Sequence, residues 1–192
     1  PGAIIAVEIP REPTIRWTAA HQAFWIDGGH RQVKIRLDLC PSADAAVAER
    51  QVILAREGGF LVAIERDNSQ HQVTAEFVDA GGAVWKLRGG PFALGAWSSV
   101  AIDWNSQETA QSAALSIAIN DREASRIPIP KTSRALSAGR GPLWIGADPA
   151  RRSPYRGSLR RLRLGDGNST FGDWPLDDSP GRVVADRSPL GL

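Results

Sequence analysis

Paired carboxylates are the first residues to test for catalysis, because glycoside hydrolysis uses two carboxyl groups held roughly 5 Å apart in retaining enzymes. Glu65 and Asp67 in "IERDN" are predicted to share a strand face, although Asp67 falls in the turn that follows. Asp177 and Asp178 in "PLDDSP" face opposite ways if that segment is extended. Carboxylates beside turns are usually solvated. We therefore predict that the chain is not an enzyme.

Metal and nucleophile motifs are equally sparse. No two of the three histidines, His21, His30 and His71, are spaced as a ligand pair. The single cysteine, Cys40, suits a small hydrophobe on a strand. No nucleophile elbow supports Ser-His-Asp chemistry.

Six arginines lie within "RRSPYRGSLRRLRLGDG", residues 151–167. The first part, "RRSPYRG", is predicted to be a loop because it contains Pro154 and Gly157. Its arginines are free to meet an anionic partner such as an acidic polysaccharide. The candidate ligand-binding residues are Arg151, Arg152, Tyr155, Arg156 and the nearby Asp148.

The second part, "SLRRLRLG", is predicted to be a late sheet strand. Leu162 and Leu164 share one face, while Arg161 and Arg163 share the other. Arg160 falls on the leucine face, which predicts a bulge or a strand end at that point.

Composition limits the function classes. The chain has 192 residues, 42% hydrophobic and 23% charged, which suits one soluble globular domain. Its net charge is only +2, with 21 acids among 23 bases, so a nucleic-acid partner is not expected. No apolar run is long enough to span a membrane. "PGAIIAVEIPREP" lacks the basic region of a signal peptide, and none is predicted.

Alternation with period two runs through most of the chain and predicts half-buried strands. In "QVKIRLDLC" it places Val33, Ile35, Leu37 and Leu39 on one face. Glycine-rich turns separate the strands, among them "EGG" at 57–59 and "RGGP" at 88–91. The pattern favours an antiparallel sandwich or barrel. "SADAAVAERQ" at 42–51 is either a short helix capped by Ser42 or a polar connection.

Four motifs in order give a family resemblance: "LGAWSSVAIDW", "LSIAIND", "LWIG" and "YRGSLRRLRL". Together they resemble the concanavalin A-like lectin/glucanase superfamily in its laminin G-like, pentraxin-type form. The resemblance implies an all-β fold, an antiparallel two-sheet jelly-roll sandwich, with its core at residues 51–164. Residues 1–40 would add leading strands to a single domain, 1–192. Residues 171–192 resemble the family's first strand. This segment would be a permuted strand that completes the sheet, a swapped strand that pairs with another subunit, or the first strand of a following domain.

The same resemblance implies calcium as a candidate cofactor, held by Asp and Asn oxygens at one rim. The metal candidates are Asp27, Asp166 and Asn168, with Asp148 as a further rim oxygen. Ordinary turn chemistry explains these residues equally well. Arg160 and Arg161 stand where many relatives carry an acidic pair, which counts against a calcium site there. The Arg, Gln/His and Tyr set of polysaccharide lyases has no match.

Seven tryptophans offer platforms for stacking on sugars. The resemblance places Trp97, Trp104 and Trp144 on core strands, and Trp85 shares a face with Leu87. The remaining three, Trp17, Trp25 and Trp174, are less constrained.

These observations favour a non-catalytic recognition or adhesion module that binds carbohydrate or glycoconjugate through rim loops. The alternative is a structural subunit of a larger assembly, such as a virion decoration, fibre or surface protein, whose partners would be other subunits or further copies. A divergent hydrolase or lyase is the third hypothesis. The first two favour an extracellular or virion-associated location.

Overall fold

A computed structural model describes residues 31–43, 49–106, 113–130, 135–137, 139–148, 150, 153–166 and 168–176. Within these residues the chain forms strands and turns, with no α-helix. The strands are β1 (Gln32–Pro41), β2 (Arg50–Glu57), β3 (Phe60–Asp67), β4 (Gln70–Val78), β5 (Val84–Phe92), β6 (Ser98–Asn105), β7 (Ala114–Ile119), β8 (Arg122–Pro128), β9 (Arg140–Ile145), β10 (Gly157–Gly165) and β11 (Thr170–Trp174).

The strands form two antiparallel sheets. One has six strands in the order β11-β10-β1-β6-β7-β8, and the other has five in the order β5-β4-β3-β2-β9. Apolar side chains from both sheets pack into one core. In it, the ring centroid of Phe77 lies 5.9 Å from that of Phe60 and 6.0 Å from that of Trp104. The predicted two-sheet antiparallel sandwich is confirmed.

Strand β1 shows why the sequence folds this way. Val33, Ile35, Leu37 and Leu39 are almost fully buried, while the residues between them are half-buried. Burying each such side chain stabilises the fold by about 1.5–3 kcal/mol. The alternation read from the sequence therefore gave both faces of this strand correctly.

The turns are mostly as predicted. Gly58 in "EGG" has φ +66°, and Asn120 and Asp121 adopt φ +51° and +62° in the two-residue turn between β7 and β8. The "RGGP" turn is wrong, because β5 runs through it with a register shift. A Cβ on Gly89 would lie 3.0 Å from Ile117 Cγ2, so this glycine lets the two sheets approach.

The structure limits the possible helix at residues 42–51 and shows the pairing of the terminal strand. Strand β2 begins at Arg50, so a helix cannot extend to residue 51, and residues 44–48 lie outside the described part. At the other end, Thr170–Trp174 pairs with β10 of the same chain. The leading segment 1–30 and residues 177–192 also lie outside the described part. Across the described ranges no helix is long and apolar enough to cross a membrane.

The sandwich has two ends, the Pro41 rim and the Gly165 rim. At the Pro41 rim, β1 ends while β6 and β10 begin. The turn between β7 and β8 lies at this rim, since Asn120 N–H donates to the Ser99 carbonyl at 2.9 Å. At the Gly165 rim, β10 ends and turns into β11.

Candidate functional site

A β-bulge in β10 shapes the candidate site. Pairing between β1 and β10 shifts register between Arg36 and Asp38. Arg161 occupies the bulge with φ +54°, and its N–H donates to the Pro175 carbonyl at 2.7 Å. The consecutive Arg160 and Arg161 side chains consequently both reach Asp38, although neighbours in a regular strand face opposite ways. The bulge predicted from the position of Arg160 is confirmed.

Trp97 forms the centre of the site. It immediately precedes β6 and is 44% exposed, whereas its predicted place was in the core. The Arg160 guanidinium carbon lies 4.1 Å from the centroid of the Trp97 ring, within cation–π range. Arg160 Nε also donates to Asp38 Oδ2 at 2.9 Å. The ion pair therefore holds the guanidinium against the ring.

Two further arginines lie at the same rim. The Arg161 side chain is 71% exposed, with Nη1 3.5 Å from Asp38 Oδ2. Arg156 is exposed and its backbone is fixed, because its N–H donates to Gln51 Oε1 at 2.9 Å and its carbonyl accepts from Ser42 at 2.9 Å. We call Trp97, Arg156, Arg160, Arg161 and Asp38 the arginine–tryptophan platform; three cations and one anion give it a formal charge of +2.

Backbone contacts around Pro41 join the parts of the platform. Gly157, next to Arg156, pairs with Pro41 across the β1–β10 ladder. The Pro41 carbonyl accepts from the N–H of Gly95, two residues before Trp97, at 2.7 Å. A Cβ on Gly157 would collide with the Cys40 carbonyl oxygen, and its φ of +148° also requires glycine.

Tyr155, one of the predicted ligand-binding residues, has a packing role instead. It is buried in the core cluster, and its hydroxyl donates to the Ser158 carbonyl at 3.2 Å. Burial raises the pKa of Tyr155 well above its ordinary value, and the nearby Cys40 adds to this shift. The phenol therefore stays neutral and enclosed.

The calcium candidates are not brought together. Asp148 follows β9 at the Pro41 end, because Gly146 N–H donates to the Ile53 carbonyl there. Asp166 lies at the Gly165 rim, where its Oδ1 accepts from Asn168 and Ser169 N–H at 2.7 Å each. This is turn chemistry. Asp27 lies outside the described residues, and within them no three His, Cys, Asp or Glu side chains cluster as metal ligands.

The carboxylates first considered for catalysis belong to an ion-pair network on the outer face of the five-stranded sheet. Glu65 lies 3.3 Å from Lys86 and 3.6 Å from Arg50. Arg88 lies 3.7 Å from Glu65 and 3.6 Å from Asp67, so both acids contact the same guanidinium group. Asp67 is the last residue of β3 and not a turn residue. Asp177 and Asp178 lie outside the described part.

The other tryptophans serve packing. Trp104 and Trp174 are buried, and Trp85 meets Trp104 edge-on at 5.9 Å. Trp144 lies on a strand as predicted, but it packs half-buried against a small second cluster that includes Val52. His71 is buried on β4. Six further residues considered in the sequence analysis lie outside the described part: Trp17, Trp25, His21, His30, Arg151 and Arg152.

Solved structures share this sandwich. The native heptameric SAP-like pentraxin from Limulus polyphemus aligns with TM-score 0.50 and 12% identity, over 70% of this chain and 63% of the pentraxin. The binding domain of botulinum neurotoxin DC, in complex with SialylT, aligns with TM-score 0.50 and 10% identity, over 72% of this chain but 33% of that one. At such identities the likeness concerns the fold. No curated protein sequence matches significantly.

The sequence itself carries the family signature. A laminin G-like family model, described as concanavalin A-like lectin/glucanases superfamily, matches residues 41–168. That range runs from the end of β1 to the β10–β11 turn, and it includes all of the arginine–tryptophan platform except Asp38. The chain belongs to the concanavalin A-like lectin/glucanases superfamily.

Proposed function

We propose that this chain is a non-catalytic recognition module that binds acidic carbohydrate or glycoconjugate at the arginine–tryptophan platform. The observation that carries this proposal is the stacking of Arg160 on an exposed Trp97 beside a second, largely exposed Arg161. Tryptophan and arginine are among the residue types most enriched at the contacts that carry binding energy.

The platform combines the two chemistries that an acidic sugar requires. An aromatic ring packs against the C–H face of a pyranose, and the open part of Trp97 supplies that surface. A guanidinium group donates two parallel hydrogen bonds to a carboxylate or a sulfate. Arg156 and Arg161 are exposed enough to make such bonds without breaking a buried contact.

The strain at Arg161 supports a functional role. A non-glycine residue in the left-handed region costs about 1–3 kcal/mol and tends to occur at functional sites. Here the strained residue directs two consecutive arginines to one surface, which a regular strand could not do.

The relatives also support carbohydrate recognition. The neurotoxin domain is named in complex with SialylT, and the superfamily is named for lectins and glucanases. Because one fold hosts both binding and catalysis, residue chemistry must separate them. Glu65 and Asp67 are held by cations in the ion-pair network, which favours binding over glycoside hydrolysis. An extracellular or virion-associated location belongs to the same proposal.

Affinity electrophoresis tests the proposal. The chain is run through native gels containing heparin, hyaluronan or polygalacturonate, with neutral dextran as the control. We expect retardation in at least one acidic gel, none in dextran, and a decrease in retardation as salt screens the arginines. Equal mobility in all four gels would exclude acidic-glycan binding.

A further inference from the structure

We infer that the platform is one of two subsites, and that the ligand is a linear acidic glycan long enough to span both. The second subsite is a cleft at the same rim, between the open edges of the two sheets. This inference rests on the proposed function and adds the length and path of the ligand.

The cleft lies where β5 and β8 meet at the edges of their sheets. It has a volume of about 420 Å³. Its walls are Gly90 and Pro91 on the β5 side, and Ile119, Asn120, Arg122, Glu123 and Ala124 on the side of the β7–β8 hairpin. Gly90 leaves the cleft open. A Cβ at this position would touch Ala124 Cβ on the opposite wall, at a distance of 3.6 Å.

Two hydrogen bonds join the cleft to the start of β6, the strand that follows Trp97 of the platform. Asn120 N–H donates to the Ser99 carbonyl at 2.9 Å, and Ser99 N–H donates to Asn120 Oδ1 at 3.0 Å. Ser99 lies two residues after Trp97, so this hydrogen-bonded pair places the cleft at the same rim as the platform.

The strand order sets the length of the ligand. Arg160 is on β10 and Arg122 is on β8, four strand positions apart in the six-stranded sheet. At about 4.8 Å per position the separation across the sheet is roughly 19 Å. A single sugar ring cannot reach from one subsite to the other, whereas a chain of several sugars can.

The chemistry of the cleft suits such a chain. Arg122 is exposed and offers a further cation, outside the platform, for an acidic group. Glu123 lies 3.5 Å from Arg126, which offsets its repulsion of an anion and leaves its oxygens as acceptors for sugar hydroxyls. Asn120 and the glycine-lined wall leave room for a hydroxyl-rich, unbranched chain.

Calorimetric titration with size-defined heparin, hyaluronan and polygalacturonate fragments, from disaccharide to decasaccharide, tests the inference. For wild type we expect affinity to rise about tenfold or more with length until the chain spans both subsites. Gly90→Leu fills the cleft without requiring positive φ, so it removes this rise and leaves disaccharide affinity unchanged. Val84→Leu, on the same strand at the opposite rim, is the matched control.

The outcomes separate the two proposals. Wild-type binding that does not depend on length, or a folded Gly90→Leu variant that retains the full rise, overturns the second subsite and leaves the platform intact. Failure of every fragment to bind overturns the proposed function and this inference together. If Gly90→Leu does not fold, the exposed substitution Arg122→Gln takes its place, and we expect it to reduce the rise of affinity with glycan length. An Arg122→Gln variant that retains the full rise of affinity also overturns the inference.

Discussion

The guanidinium group of Arg160 contacts two partners at once. Its central carbon lies 4.1 Å from the Trp97 ring centroid, and its Nε donates to Asp38 at 2.9 Å. With the Arg160 side chain 39% exposed, solvent weakens the ion pair, which contributes at most about 1 kcal/mol. Its main effect is geometric, since it keeps the guanidinium group over an aromatic surface that a ligand can share.

We expect Arg161 to lower the stability of the fold through its backbone and to strengthen glycan binding through its guanidinium group. We expect Arg161→Gly to be about 1 kcal/mol more stable than Arg161→Ala, because only glycine relieves the left-handed backbone. Both variants should bind acidic glycan more weakly than wild type, since both lose the guanidinium. Urea unfolding and glycan titration measure the two effects. Equal stability of the two variants would show that the bulge is unstrained.

Neutralising the basic loop should affect binding alone. We expect the triple variant Arg151→Ala, Arg152→Ala, Arg156→Ala to bind acidic polysaccharide more weakly and with a shallower dependence on salt concentration. Its thermal midpoint should match wild type. Lys34→Ala removes a charge from the same sheet toward the Gly165 rim and serves as the control. Unchanged binding of the triple variant would make these arginines ordinary surface residues.

Tyr155 should act on stability and its pH dependence. Because burial raises its pKa, the folded state keeps the phenol proton that the unfolded state releases above pH of about 10. Stability should therefore fall by up to about 1.4 kcal/mol per pH unit above that point, and less steeply in Tyr155→Phe. At neutral pH the variant should lose about 1 kcal/mol, with unchanged glycan affinity.

This is the only tyrosine, so its titration can be read directly from ultraviolet absorbance. A phenolate signal that appears near pH 10 in the folded protein would contradict the buried position.

Calcium removal should leave binding intact. The described metal candidates lie at opposite rims, and the platform attracts anions through guanidinium groups. We expect glycan affinity in excess EDTA to stay within about twofold of its value in millimolar calcium, a free-energy change of about 0.4 kcal/mol. A large loss of affinity in EDTA would place a cation in the binding site.

Local patterns predicted the strands well, because alternation directly records which face is buried. The same rule could have corrected Trp97: it stands seven residues before Trp104, and an odd spacing along an extended segment places two side chains on opposite faces. The motif resemblance placed both in the core and concealed this difference. Strand β8, "REASRIP", is a largely exposed edge strand, so it shows no alternation of buried and exposed residues from which it could be predicted.

Long-range partners set the remaining limit. The bulge was predictable from Arg160 alone, because its position conflicts with the leucines that follow. Its partner was not, since Asp38 is 122 residues away in sequence. Tyr155 was misassigned for a related reason: loop composition indicates exposure, and only the packing of β10 against the core shows that this loop residue turns inward.

The most direct test compares the dissociation constants of wild type and Trp97→Ala for a heparin or hyaluronan octasaccharide, with thermal unfolding in parallel. We predict at least tenfold weaker binding, about 1.4 kcal/mol, and a nearly unchanged melting temperature, because much of the ring is exposed. Val84→Ala, an exposed apolar truncation at the other rim, should match wild type in both. Equal affinities of wild type and a folded Trp97→Ala would contradict the arginine–tryptophan platform as the binding site.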